Sequence, residues 1–187
     1  RPNDIPLFAG KIYKEAQRLI NLIQDIIKLS QLDEKNSTFM KEPLNLSAIC
    51  KQIILRLNDK ALTKQVKLIF KEVPTSEIIG VRQLIEELIY NLIENAIKYG
   101  DGRQIKLSFD KVDGCELITV RNTGCTLEEK ELPQIFESFH RGSNAAKVQG
   151  NGLGLFICKR LMSLMGGEVY AEIREKCFCV TLVVKLA

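Results

Sequence analysis

The chain has 187 residues, 45% hydrophobic and 27% charged, with five Pro and twelve Gly, which suits one globular domain of roughly 150 residues plus a short appendage. That balance excludes disordered, collagen-like and low-complexity chains. Lys plus Arg exceeds Asp plus Glu by 27 to 23, and a surplus of +4 spread along the sequence makes no dedicated nucleic-acid surface, so no nucleic-acid partner is expected.

The spacing of Ile12, Ala16, Leu19, Ile23, Ile26 and Ser30 alternates four and three, which predicts a bundle-type helix over residues 11–32. Ile20 and Ile27 add a second stripe. Pro6 and Gly10 are expected to bound it in front, and the polar stretch from Asp33 to Ser37 behind. A second helix is expected over Asn45–Leu62, capped by Asn45 or Ser47. Val66–Val73 and Glu77–Gly80 read as strands, Val81–Tyr99 as a helix, and Gln104–Phe109 and Cys115–Arg121 as strands around Asp113-Gly114. Residues 122–151 lack a clear period beyond a possible turn at Glu128–Phe136; so long a stretch is usually functional. A helix at Leu153–Met165, a Gly166-Gly167 stop and strands at Glu168–Ile173 and Cys177–Lys185 complete the chain. Runs of strands with few crossover helices predict an α+β sandwich, a mixed sheet with helices on one face.

No apolar run approaches the roughly 18 residues of a membrane span, and no signal segment opens the chain, so a soluble product is expected. A chain beginning at Arg1 rather than Met is expected to be a piece of a longer protein. The cysteines at 50, 115, 125, 158, 177 and 179 form no C-x-x-C pair, and the single histidine, His140, adjoins none of them. They read as free thiols serving as small core residues in a reducing compartment.

Asn91 and Asn95 lie four apart on one helix face, extended by Lys98 and Tyr99. Asn is a weak helix former. A carboxamide oxygen is a suitable neutral ligand for Mg²⁺, and an ammonium can bind phosphate, although both Asn can also simply cap or face solvent. The stretch Gln149-Gly150-Asn151-Gly152-Leu153-Gly154 opens the next helix with glycine at alternate positions. It leaves backbone N–H groups free at a helix N-terminus, where anions are favoured, although a flexible hinge would look the same.

Taken in order, Asn91-Leu92-Ile93-Glu94-Asn95-Ala96-Ile97-Lys98-Tyr99, Asn122-Thr123-Gly124, the run from Ile135 to Gly142 and the stretch from Gly150 to Leu161 resemble the boxes of the ATP-binding domain of sensor histidine kinases. The match covers about residues 44–187, and residues 11–33 resemble the second helix of the family's dimerisation and phosphotransfer hairpin. The resemblance implies a Bergerat-type ATP-binding α/β sandwich over residues 37–187, preceded by a partial hairpin region over residues 1–36. It implies that Asn95 holds Mg²⁺, that Asn91 lies near the triphosphate as a catalytic residue with Lys98, and that Tyr99 lines the cleft. Residues 124–152 would be a lid anchored by Phe136 and Phe139. Asn122, Gly124, Arg141, Gly150, Gly152, Leu153 and Gly154 would complete the nucleotide site. The implied cofactors are ATP and Mg²⁺; the implied partners are a response-regulator receiver domain and a second copy through the hairpin. This part would be cytoplasmic and the parent anchored in the cell membrane by segments outside the sequence.

Two departures stand out. The family's first glycine box is usually Asp-x-Gly-x-Gly, whereas this chain has Asn122-Thr123-Gly124-Cys125-Thr126. An Asn oxygen still accepts a hydrogen bond from the adenine amino group, without the charge and with an amide that can also donate. The family's phosphoacceptor His has no match; His140 falls within the phenylalanine box and reads as lid packing, so the acceptor is expected before Arg1. ATPases of the gyrase, chaperone or mismatch-repair kind place a water-activating Glu where Asn91 stands, and Asn is no general base. A serine kinase of the anti-sigma-factor type is disfavoured by the bundle helix. A non-catalytic docking module is the rival from another class.

Overall fold

In the computed structural model, which describes residues 5–34, 40–74, 77–100, 104–145, 148 and 150–186, helix α1 spans Ile5–Glu34. It begins ahead of the expected boundary: Pro6 falls in the first turn, where its missing N–H has no intrahelical partner to lose, and Gly10 is carried inside at a cost of about 1 kcal/mol. The expected domain boundary at residues 36–37 lies outside the described residues.

Strand β1, Glu42–Asn45, leads into α2, Leu46–Thr63, where the Asn45 side chain accepts the Ala48 N–H at 2.9 Å. Strands β2, Lys67–Phe70, and β3, Glu77–Gly80, precede α3, Arg82–Tyr99. The hairpin of β4, Gln104–Val112, and β5, Cys115–Thr123, turns at Asp113 and Gly114, both at positive φ. Two short 3₁₀ segments, Glu129–Gln134 and Ser143–Ala145, supply the only helical turns among the described residues of 124–152. Helix α4, Gly154–Leu164, and strands β6, Glu168–Arg174, and β7, Cys177–Lys185, follow.

The main sheet has the order β2-β4-β5-β7-β6, with β2 parallel to β4 and the other pairs antiparallel. The expected α+β sandwich with a mixed sheet is therefore the observed fold. Alternation sends Ile105, Leu107, Ile118, Val120, Val180, Leu182 and Val184 to one face, where they are buried together with residues of α2, α3 and α4.

β1 was not legible in the sequence. Four residues are too few to show alternation, and Pro43 argues against a strand. It pairs with β3 in a two-stranded ribbon separate from the main sheet. β2 is also shorter than the expected 66–73.

Helix α1 turns a stripe of Leu22, Asp25 and Leu29 inward; Leu22 and Leu29 pack against the core, and Lys28 reaches Glu87 of α3 at 3.0 Å. Its predicted seam points away, with Ile12, Leu19, Ile23 and Ile26 all exposed. Among the described residues no helix is long and apolar enough to cross a membrane. The six cysteines are free; burial pushes the Cys50 thiol up to about 12 and raises that of Cys158 as well. Both are buried small core residues.

Candidate functional site: a two-part cleft beneath helix α3

The sequence of α3 decides which of its side chains reach the cleft. Buried doublets recur every four residues (Leu84 and Ile85, Leu88 and Ile89, Leu92 and Ile93, Ala96 and Ile97) and dock the helix on the core. Asn91, Glu94, Asn95, Lys98 and Tyr99 are left half-buried beside that stripe. The cleft they face has two compartments that meet at Asn95, Tyr99, Gly152 and Gly154.

The first compartment lies between α3, the sheet and the 124–152 segment, and its walls are mainly apolar: Leu92, Val120, Ile135, Leu155 and Phe178 among them. Asn122 of β5 is buried in that wall, and Arg141 and His140 enter from the segment above. The Arg141 guanidinium donates to the backbone carbonyls of Ala145 and Val148, the latter at 2.5 Å, which ties that segment to itself. Burial pushes the Tyr99 phenol upward, opposed by Arg141. His140 lines this compartment, and its Nε2 is buried with no hydrogen-bond partner among the described residues.

The second compartment, about 270 Å³, lies between α3, the glycine loop and α1 and is polar. Asn91, Lys98, Gly150 and Leu153 join the shared residues there. The Asn91 side-chain nitrogen is buried without a partner among the described residues. Buried donors are nearly always paired, so this one calls for a partner that the described residues do not supply. In the glycine loop, backbone contact requires glycine at Gly152, whereas the contact at Gly150 is with the end of a side chain. A Cβ on Gly150 would run into the Tyr99 hydroxyl, and one on Gly152, which has φ +71°, would stand 2.5 Å from the His140 carbonyl oxygen. The N-cap of α4, Leu153, makes no side-chain cap hydrogen bond, leaving the first N–H groups of that helix open to an anion.

Charged groups line the second compartment from two helices: Arg18, Asp25 and Lys28 from α1, Glu94 and Lys98 from α3. Burial raises the Asp25 carboxyl, an effect partly offset by its hydrogen bond with Asn151 and by Lys28 and Lys98. Burial would also raise Glu94, but hydrogen bonds from Lys60 and Lys98 outweigh it and hold the carboxyl below its usual range.

Of the thirteen residues expected at the site, ten line one compartment or both. Gly124, Phe136 and Phe139 line neither. Gly124 follows β5 at φ +75°, where a side chain would be strained. Phe136 is half-buried against the core, whereas the Phe139 ring is 59% exposed at φ +64°, so of the two expected anchors only Phe136 packs inward. Sequence reasoning missed Asp25, Lys60, Glu94 and Asn151. Glu94 precedes Lys98 by four residues, a favourable helical ion-pair spacing, and was findable; the others are brought in by tertiary structure.

This geometry can be set beside known proteins. Residues 80–187 match the family described as histidine kinase-, DNA gyrase B-, and HSP90-like ATPase. The chain is 30% identical over 175 residues to the sensor histidine kinase WalK of Bacillus subtilis strain 168, covering 89% of this chain and 28% of WalK. Full-length ShkA in complex with AMPPNP shares the fold with a TM-score of 0.80 at 20% identity, over 97% of this chain and 39% of that one. Histidine kinase ThkA in complex with the response regulator protein TrrA gives 0.78 at 20% identity, over 100% and 53%.

Proposed function

Because the chain belongs to the histidine kinase-, DNA gyrase B- and HSP90-like ATPase family and carries an ATP-binding domain of the sensor histidine kinase type, we propose that it transfers the γ-phosphoryl group of ATP to a histidine outside this sequence. From there the group passes to an aspartate of a response-regulator receiver domain. In the first transfer the bond between the γ-phosphorus and its bridging oxygen breaks and ADP leaves with the electron pair. The imidazole nitrogen forms the P–N bond, and one proton is released.

The observation that carries this reading is the convergence on one cleft of Asn91, Asn95, Lys98 and Tyr99 with the 150–154 glycine loop, around a buried amide that lacks a partner. The apolar compartment suits a nucleobase, with Tyr99 and Asn122 at its walls. The polar compartment suits phosphates, with Lys98 as a cation and the open α4 N-terminus as a dipolar partner. The Asn95 side-chain oxygen would hold Mg²⁺, with Asn91 close by. Bound Mg²⁺ would neutralise charge on the phosphate oxygens. Asn91 cannot act as a general base toward water, which disfavours hydrolysis as the main task. Positioning and charge neutralisation carry the chemistry. The intact protein would dimerise through its helical hairpin, and a membrane anchor would lie in other parts of it.

Calorimetric titration with a non-hydrolysable ATP analogue, with and without Mg²⁺, tests the reading, using Asn95→Ala as the control. Mg²⁺-dependent binding that disappears in the variant is expected. Absence of binding to the wild-type chain would overturn it in favour of a docking module.

A further inference from the structure

Glu94 sits beside Asn95 on α3, its side chain 17% exposed, and it is held by two ammonium groups at once. Lys60 of α2 donates to Oε1 at 2.5 Å and Lys98 of α3 donates to Oε2 at 2.8 Å. Glu94 and Lys98 both line the polar compartment, whereas Lys60 does not: it stands behind Glu94 on the neighbouring helix. The cation proposed to meet phosphate is therefore bound, in this structure, by a carboxylate facing the same space. That carboxylate is a liability in a site for a polyanion, since like charges repel strongly where water is scarce. It also competes with phosphate for Lys98.

We propose that Lys60 is a positioning residue for the nucleotide phosphates, acting through Glu94: it neutralises that carboxylate from behind, so that Lys98 is free to leave it for phosphate. The inference rests on the nucleotide reading above and adds a residue to it. When Lys98 moves to phosphate, Glu94 keeps a charge-assisted hydrogen bond instead of standing buried and uncompensated. Arg18, Asp25 and Lys28 of α1 also face the compartment, but neither lysine nor arginine of that helix is hydrogen-bonded to Glu94; Lys60 and Lys98 are its two cationic partners among the described residues. Lys60 is 43% exposed and lines neither compartment, so its only hydrogen-bonded route to a ligand there among the described residues is through Glu94.

The test is a double-mutant cycle of Lys60→Met, Glu94→Gln and the double variant, titrated with AMPPNP plus Mg²⁺ and, separately, with adenosine. Lys60→Met is expected to weaken AMPPNP binding roughly five- to tenfold while changing adenosine affinity less than about twofold. The loss should shrink at high salt, where charges are screened. Glu94→Gln in the same chain should restore AMPPNP affinity to within about threefold of wild type, since the carboxylate to be neutralised is gone. Lys60→Arg, which keeps the charge, should bind like wild type, and Lys60→Gln, which removes the charge but keeps a polar end, takes the place of Lys60→Met if that variant does not fold. Equal losses for AMPPNP and adenosine would overturn the inference in favour of a purely structural α2–α3 tie. So would unchanged binding in Lys60→Met, a double variant as weak as Lys60→Met, or a Lys60→Arg variant with impaired binding. A wild-type chain that binds neither ligand would instead overturn the nucleotide reading itself.

Discussion

Gly154 and the Asn95 side chain occupy adjoining space: a Cβ on Gly154 would stand 2.5 Å from the Asn95 amide nitrogen and 2.8 Å from its oxygen. The first residue of α4 thus sets where the proposed metal ligand on α3 can lie. Gly154→Ala must displace that amide, because the Asn95 group is the end of a short side chain on a helix that is itself docked on the core. We expect the Mg²⁺-dependent part of ATP-analogue binding to fall at least tenfold, while urea midpoints change little, since Ala favours a helix over Gly. Calorimetry with and without Mg²⁺ separates the two. Unchanged Mg²⁺ dependence would show that Asn95 does not hold the ion.

The docking of α1 should depend on pH. Burial raises the Asp25 carboxyl above its unfolded value of 3.8, so the neutral acid docks better than the carboxylate. That contribution is complete below the unfolded value and is lost as pH rises through the folded one. At neutral pH the charged form carries the desolvation cost. Asp25→Asn removes the charge and keeps a carbonyl for Asn151, so it should raise the protection factors of α1 amides at pH 7 and abolish their dependence on Asp25 ionisation. Hydrogen exchange by NMR measures this; lower protection in the variant would contradict it.

Asn122 lies buried in the apolar compartment where the resemblance sets a carboxylate against adenine. Asn122→Asp should tighten ATP-analogue binding several-fold, since a charge-assisted hydrogen bond is about twice as strong as a neutral one. The wild-type amide can also donate to the guanine carbonyl, so the wild type should bind ATP and GTP analogues within about an order of magnitude of each other and the variant should separate them. Competition titrations give both ratios. No detectable GTP-analogue binding by the wild type would count against the relaxed selectivity.

The exposed seam of α1 predicts self-association of this chain. Ile12, Leu19, Ile23 and Ile26 are 48 to 70% exposed along one heptad line, an arrangement that two copies can bury against each other. Light scattering should give a mass that rises with concentration, and Ile23→Glu should return it to a monomer. A monomer mass for the wild type across the accessible range would exclude the seam as an interface.

Local pattern carried much of this molecule. The doublets of α3 made its core face readable, because a helix that buries one stripe repeats it every turn. The same arithmetic puts Asn91, Asn95, Lys98 and Tyr99 on one face of the helix. The alternation in β4, β5 and β7 showed equally well, because their helix-facing positions are apolar. The ribbon of β1 with β3 did not show: Glu42–Asn45 contains a proline and its pairing is made by a strand more than thirty residues on. The 124–152 segment showed only as an absence of period, so the contrast between a packed Phe136 and an exposed Phe139 was invisible.

What the sequence by itself determined, then, is the family, the sheet-and-helix layering and the residues that one helix turn or one glycine loop can bring together. These depend on spacings of two to four residues, which the chain displays directly. Only the tertiary structure decided that Asp25 of α1 meets Asn151 across the polar compartment, and that Lys60 of α2 stands behind Glu94. Such contacts join polar and charged side chains far apart in sequence. No periodicity announces them, and their strength comes from the partial burial that packing creates.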